Sequence, residues 1–214
     1  LAEGAVMNDV PVHFDPVRHR YSVQGRPVPS VTEVLAPLSN FQRVPPAILK
    51  AAAERGTAVH KACELDDLGR LDERSLSPAL RGYVMAWRAF SARQAVRWEL
   101  VERCVYHAQM DYAGTLDRFG LVAGGKAVVE LKTSAAPPLA LGPQLAAYAK
   151  AIAPAGASLR RLGVLLRPDG SYRMYDYDQP ADWAVFASLL TLQRYCQQHR
   201  INLALNLNPK ERLP

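Results

Sequence analysis

The chain has few cysteines and no long apolar run. Cys63, Cys104 and Cys196 are the only thiols among 214 residues, they are far apart, and they form no C-x-x-C pair. This argues against a disulfide framework, a four-thiolate metal site and an iron–sulfur cluster. No apolar run approaches the roughly 20 residues of a membrane span, and no signal segment opens the chain. These absences predict a cytoplasmic protein that does not bind membranes.

The charge balance is basic, with 26 Lys and Arg against 20 Asp and Glu and a net charge of +6. This excess favours a polyanionic partner such as nucleic acid, although a GC-rich genome also raises the arginine content. The chain has no repeats or low-complexity blocks and is long enough for one core, so we expect a single domain over residues 1–214. Residues 1–11 are expected to be flexible or foreign to the native protein, and residues 206–214 to form a frayed tail.

Hydrophobic periodicity predicts an α/β order of elements. Val12–Asp15 and Tyr21–Val23 read as a hairpin, and Ser30 with Glu33 reads as a capping box that starts a helix. Trp98, Leu100, Val105 and Tyr106 indicate a long strand that contains a bulge. The remaining predicted elements are helices at 45–69 and 77–95, strands at 114–122 and 126–133, a helix at 139–153, a hairpin of 162–166 with 172–177, and a helix at 181–205.

Two acidic residues on neighbouring strands are the first candidates for chemistry. Glu130 and Lys132 share one face of a largely apolar strand, and the alternative is an exposed ion pair. Asp117 ends the run Gly114-Thr115-Leu116-Asp117, and the hairpin makes it a cross-strand neighbour of Glu130. Close carboxylates repel one another unless a cation lies between them, and oxygen ligands suit Mg²⁺ or Mn²⁺. The alternative for Asp117 is a surface salt bridge with Arg118 or Arg103.

Two helical pairs could complete such a site. His60 follows Gly56 by four residues, so both lie on one helix face, and the small glycine lets the backbone approach a strand or a phosphate. The alternative is a partly buried histidine paired with Glu64. Gln144 and Tyr148 are also four residues apart, on the helix that follows Lys132, and such a spacing is common on any helix.

Taken in order, these motifs resemble the PD-(D/E)XK nuclease superfamily, in its RecB-like and phage-type exonuclease branch. That branch has a Gly-x-x-x-His helix, a Gly-x-x-Asp strand, an acid-x-Lys strand and a Gln-x-x-x-Tyr helix. The segment from His13 to Leu35 also looks like the start of phage-type members and of the mitochondrial genome maintenance exonuclease. CRISPR-associated members add four cysteines for an iron–sulfur cluster, which this chain cannot supply. The resemblance implies an α/β restriction-endonuclease-like domain, with an αβββαβ core, a central mixed sheet flanked by helices, an N-terminal hairpin and helical additions.

The resemblance also implies a site and its cofactor. One or two Mg²⁺ or Mn²⁺ ions would be bound by His60, Asp117, Glu130 and the Leu131 carbonyl. Lys132 would orient the attacking water, and Gln144 and Tyr148 would position the DNA or support Lys132. Candidate contacts to the substrate are Ser30 and Thr32 at a helix start, Arg55, Gly56 and Thr133.

The first hairpin offers further candidate DNA contacts. Arg18, His19 and Arg20 can meet phosphates, and Phe14, Tyr21 and Phe41 can stack on bases. The alternatives are solvated surface for the arginines and core packing for the aromatic rings.

The expected function is a metal-dependent DNA exonuclease that starts from single-stranded ends or tails, in the cytoplasm of a bacterial or phage-infected cell. Alternatives are a flap or overhang endonuclease, a non-catalytic nucleic-acid-binding module and an assembly protein. A helicase or recombination partner would be a separate chain, because the sequence has no G-x-x-x-x-G-K-[ST] motif. The sequence leaves open the polarity of digestion, the choice between DNA and RNA, and the oligomeric state.

Overall fold

A computed structural model describes residues 10–39, 44–153 and 157–202. The predicted tail at 206–214, Phe41 and most of the predicted flexible start lie outside these ranges, whereas Val10 and Pro11 lie inside them. None of the helices in the described ranges is long and apolar enough to cross a membrane.

The N-terminal region is a small antiparallel sheet followed by one helical turn. Strands β1 (Val12–Asp15) and β2 (Arg20–Val23) form the predicted hairpin, and β3 (Arg26–Val28) adds a third strand. Helix α1 (Val31–Val34) starts as predicted, because the Ser30 hydroxyl accepts a 3.0 Å hydrogen bond from the Glu33 amide. A short 3-10 turn follows at Ala36–Leu38.

The central layer is a mixed sheet of five strands in the order β4-β5-β6-β7-β8. Only β6 and β7 run parallel, and the other neighbours are antiparallel. The predicted long strand does contain a bulge, which the sequence did not position: the β4–β5 register shifts between Trp98 and Leu100. The strands are β4 (Arg97–His107), β5 (Tyr112–Val122), β6 (Gly125–Lys132), β7 (Arg160–Leu166) and β8 (Tyr172–Asp176).

Helices cover both faces of this sheet and give two apolar cores. Helices α4 (Leu141–Ile152) and α5 (Ala181–His199) pack with α1 on one face, and α2 (Pro46–Asp67) and α3 (Pro78–Arg93) pack on the other. From α3 to β7 the chain follows the expected helix–three strands–helix–strand order. A mixed sheet flanked by helices therefore stands as predicted.

The prediction of a last helix through residue 205 is wrong, because α5 ends at His199. Arg200 has φ +53°, and a residue in the left-handed conformation stops a helix. Its amide donates to the Gln197 carbonyl, and the Ile201 amide donates to the Cys196 carbonyl. The periodicity of the sequence continues past Arg200, so the pattern alone did not indicate this end.

Candidate active site

The site forms where strands β5 and β6 stop pairing. Their last Cα pair is Arg118 with Val129, so Asp117 and Glu130 are the next positions, as the predicted hairpin requires. In place of a ladder bond, Asp117 Oδ2 accepts a 2.8 Å hydrogen bond from the Leu131 amide. Both carboxylates are buried, with 4% of Asp117 and 3% of Glu130 exposed. The gap between the two strands therefore holds two acids in a low-dielectric setting.

His60 reaches this gap from helix α2. Its Nε2 lies 3.1 Å from the Leu131 carbonyl oxygen, and its Nδ1 lies 3.3 Å from Asp117 Oδ1. Burial alone would lower the pKa of His60, but Asp117 in particular raises it to about 10. The imidazolium form satisfies both contacts, because each nitrogen then donates to an oxygen.

Glu102 belongs to the same group, and the sequence analysis missed it. Its Oε1 lies 3.7 Å from His60 Nδ1, and ligand atoms of Glu102, His60 and Asp117 all lie within 4.8 Å of one another. Glu102 has φ +46°, and the β4–β5 register has no Cα pair between it and Asp117. Such a backbone costs about 1–3 kcal/mol in a non-glycine residue. The change of alternation between Leu100 and Val105 predicted a bulge in this strand, but it did not indicate that Glu102 joins the site.

Glu130 has one oxygen bonded and one oxygen without a partner. Its Oε1 accepts 2.7 Å hydrogen bonds from Lys132 Nζ and from Gln144 Nε2. Its Oε2 is buried and has no hydrogen-bond partner among the described residues. Burial first, and then the nearby Asp117 charge, raise the pKa of Glu130 to about 7. Burial would lower the pKa of Lys132, but Glu130 and Asp117 raise it, so Lys132 remains an ammonium.

Gln144 and Tyr148 have different positions on helix α4. Gln144 touches Glu130, whereas the Tyr148 ring is buried against β5. A Cβ placed on Gly114 would lie 2.8 Å from Tyr148 Cε1 and 3.1 Å from Val31 Cγ2. Gly114 is therefore required by packing. Burial raises the pKa of Tyr148 well above its usual value, which leaves a neutral phenol at physiological pH.

The predicted substrate contacts fall into two groups. Gly56 and Thr133 are neighbours, since a Cβ on Gly56 would lie 3.9 Å from Thr133 Oγ1, and Arg55 is exposed beside Gly56. Ser30 and Thr32 lie at the start of β5, where Ser30 is buried and bridges Ala113. The Ser30 hydroxyl serves as the cap of α1 and lies 3.3 Å from Thr32 Oγ1. The structure thus does not join these two residues to the carboxylates.

Two alternative interpretations of the acids do not agree with the structure. Arg118 does not pair with the Asp117 carboxylate: its Nε donates to Asp67 Oδ2 at 2.6 Å and its Nη1 to Glu102 Oε1 at 2.9 Å. Arg118 Nη1 reaches only the backbone oxygen of Asp117, at 2.7 Å. Glu64 pairs with Lys61 at 2.8 Å and not with His60. Asp117 and His60 therefore contact each other. The Asp117 carboxylate does not pair with Arg118, and His60 does not pair with Glu64.

Comparison of the chain with protein-family models and with curated proteins found no match. The assignment of a function therefore depends on the chemistry of these residues.

Proposed function

We propose that the protein is a metal-dependent deoxyribonuclease that hydrolyses phosphodiester bonds from single-stranded ends or tails. The observation that carries the proposal is the buried Oε2 of Glu130, which lies beside Asp117 and has no hydrogen-bond partner in the described part of the chain. The other oxygen of the same carboxylate binds Lys132. A buried anionic oxygen without a donor is costly, and a bound cation removes that cost. The proposal includes a restriction-endonuclease-like fold, supported by the mixed sheet and its helix order.

The residues present fit a divalent cation. Asp117, Glu130, the Leu131 carbonyl and His60 would hold Mg²⁺ or Mn²⁺, and Glu102 adds a fifth donor within reach of His60 and Asp117. Oxygen donors suit either ion, and a histidine nitrogen favours Mn²⁺. When bound, the ion would supply Lewis-acid polarisation of a phosphoryl oxygen and a lower pKa for an attacking water. His60 must lose a proton to become a ligand, because its pKa is raised to about 10.

The remaining side chains have roles that follow from their contacts. Lys132, an ammonium at the edge of the gap, would bind the attacking water and offset the negative charge that develops on the phosphate. Gln144 orients Glu130 through its amide and leaves Oε2 free. Tyr148 packs on Gly114 and so would position helix α4 for the contact between Gln144 and Glu130.

A non-catalytic binding module is the weaker alternative. Binding a phosphate requires no carboxylates beside it, and this site buries two with a third at its edge. An endonuclease that cuts flaps or overhangs would use the same residues, so only the need for a free end separates it from an exonuclease.

The test compares an end-labelled linear single strand with a covalently closed single-stranded circle, in Mg²⁺, Mn²⁺ or EDTA. We expect metal-dependent loss of the linear strand alone, and at least about a 10²-fold slower reaction for Lys132→Ala. Lys126→Ala is the matched control, because Lys126 lies at the exposed start of the same strand and pairs with Glu99.

Each other outcome has a defined meaning. Cutting of the circle changes the assignment to an endonuclease. Tight binding without cutting, in every metal, supports the binding module. Undiminished cutting by Lys132→Ala would contradict the assigned site.

A further inference from the structure

The turn between β1 and β2 presents an exposed basic surface. Arg18, His19 and Arg20, which we call the basic turn, are all exposed. Asp15 lies opposite Arg20, but its Oδ1 accepts hydrogen bonds from the Val17 and Arg18 amides at 2.9 and 3.1 Å. In the part of the chain that the structure describes, no ion pair engages the side chain of Arg18 or Arg20. The carboxylate thus fixes the shape of the turn and leaves two guanidinium groups available to an anion.

The rings of His19, Phe14 and Tyr21 form an aromatic stack that packs against the basic turn. The His19 ring meets Phe14 edge-on at 5.3 Å, and Phe14 stacks on Tyr21 at 4.6 Å with an interplanar angle of 29°. His19 has φ +50°, a left-handed conformation that is uncommon for residues other than glycine and asparagine. This backbone holds the ring at the tip of the hairpin, between the two arginines.

The aromatic stack contacts strand β5 close to the candidate active site. The Tyr21 hydroxyl and Thr115 Oγ1 form a 2.9 Å hydrogen bond, and Thr115 lies two residues before Asp117 on β5, about 7 Å along the strand. His19, Arg20 and Tyr21 also line a cleft of about 240 Å³, together with Ser30 and Glu33. Both Glu33 oxygens already accept hydrogen bonds, from the Ser30 amide and from Gln193. Glu33 thus contributes one carboxylate to the cleft, and Arg20 contributes one guanidinium.

We propose that the basic turn and this cleft bind single-stranded nucleic acid next to the phosphate that is cut, with Arg18 and Arg20 on backbone phosphates and His19 stacked on a base. The inference rests on the proposed function, because it names the substrate of that same site. The arginines complement a polyanion, and an imidazole face can stack only on a base that is not paired in a duplex. Ser30, whose hydroxyl caps α1, then lines the cleft without binding a phosphate itself.

Binding is measured first, by fluorescence anisotropy of a labelled oligothymidylate in EDTA, so that no hydrolysis occurs. The variant is Arg18→Ala with Arg20→Ala, and the control is Arg81→Ala with Arg93→Ala on helix α3, which removes the same charge from exposed positions. We expect the first pair to weaken binding at least about tenfold and to lower the salt slope of log K by about 1.4, because each phosphate contact contributes roughly 0.7. The control pair should change affinity less than about threefold.

The stacking ring is tested separately. His19→Asn removes the ring but tolerates the left-handed backbone, and we expect it to weaken binding about tenfold. His19→Phe keeps an aromatic face and should restore most of the affinity. The inference would be overturned if the Arg18 and Arg20 pair and the control pair lost the same affinity. It would also be overturned if the Arg18 and Arg20 pair weakened duplex binding as much as single-strand binding, or if His19→Asn left the affinity unchanged.

A small substrate separates this inference from the proposed function. Bis(p-nitrophenyl) phosphate is too small to reach the basic turn, so its metal-dependent hydrolysis should be unchanged in the Arg18 and Arg20 variant and lost in Lys132→Ala. Binding that depends on the turn, without hydrolysis of any substrate, would support the inference and overturn the nuclease. Hydrolysis of DNA with turn-independent binding would overturn the inference alone.

Discussion

Two buried charged clusters lie on neighbouring residues of β5, and they differ in how well their charges are matched. In the Arg118 cluster, Asp67 accepts hydrogen bonds from Arg118 Nε and from the indoles of Trp87 and Trp98. The guanidinium also lies 5.5 Å over the Trp87 ring, and its Nη2 has no hydrogen-bond partner among the described residues. Burial raises the pKa of Asp67, but these donors oppose the shift.

The Asp117 cluster, one residue away, is left incomplete. Its acids outnumber its cations around one gap, and Glu130 Oε2 has no donor within the described ranges. In the Arg118 cluster the buried cation is paired with two carboxylates of the chain, which is the arrangement of a structural support. In the Asp117 cluster the proposed function would supply the missing partner as a bound cation, and this expected difference separates a binding site from a buried ion pair.

The largest expected effect is on stability, from breaking the Arg118 cluster. Arg118→Met leaves Asp67 buried without its cation and frees Glu102, so the free energy of unfolding should fall by about 3–5 kcal/mol. Urea denaturation in EDTA measures this change. Arg103→Met is the control, because Arg103 is exposed on the adjacent strand and its loss should cost less than about 1 kcal/mol. If both variants lost a similar free energy of unfolding, the Arg118 cluster would not be the structural support that we infer.

A smaller effect, with the opposite sign, is expected in the Asp117 cluster. The pKa of Glu130 is raised to about 7 from 4.5, so the metal-free wild type loses stability as the pH rises from about 4.5 through 7. Glu130→Gln keeps an acceptor for Lys132 and Gln144 but does not ionise. Its stability relative to wild type should therefore increase between pH 5 and pH 8, by at most about 3 kcal/mol.

This change is measured by urea denaturation in EDTA at both pH values. A stability difference that is the same at pH 5 and pH 8 would contradict the raised pKa. In Mn²⁺ at pH 8 the wild type should be more stable than Glu130→Gln, because we expect only the wild type to gain stability from the bound ion.

The smallest effects concern the two motif glycines. Gly114→Ala drives a methyl group into Tyr148 and should destabilise the protein by about 1–3 kcal/mol. Gly56→Ala meets only ordinary contact with Thr133 and lies inside helix α2, so it should stabilise by about 0.5–1 kcal/mol. Thermal unfolding measures both changes. Slower DNA cleavage by the more stable Gly56→Ala would indicate that the substrate passes this helix turn, whereas unchanged cleavage would make Gly56 dispensable.

Much of the fold could be predicted from the sequence because its signals are local. The short turn at Ala123-Gly124 sets the register that brings Asp117 next to Glu130, and the capping box fixes the start of α1. The spacing of Gly56 and His60 placed one histidine on the face of α2 that meets the sheet. In each case one short pattern decides the geometry, and distant parts of the chain do not alter it.

The parts that the sequence missed depend on distant contacts. Glu102 is itself in the left-handed conformation inside a strand, and the bulge predicted there did not identify which residue turns towards His60. Leu131 contributes its amide to Asp117 and its carbonyl to His60, while its side chain is buried in the core of α2 and α3. The resemblance had suggested only the carbonyl. The partners of Arg118 come from α2 and β4, so no local spacing could identify them.

The left-handed backbone at Glu102 has a consequence for self-association. Strand β4 is an edge of the five-stranded sheet, and an exposed regular edge can recruit a strand of another molecule. The left-handed backbone at Glu102 and the bulge after Trp98 interrupt the row of amides and carbonyls at two points along β4. The deformation that brings a carboxylate to His60 therefore also leaves β4 a poor template for intermolecular β-sheet, and so opposes aggregation along that edge.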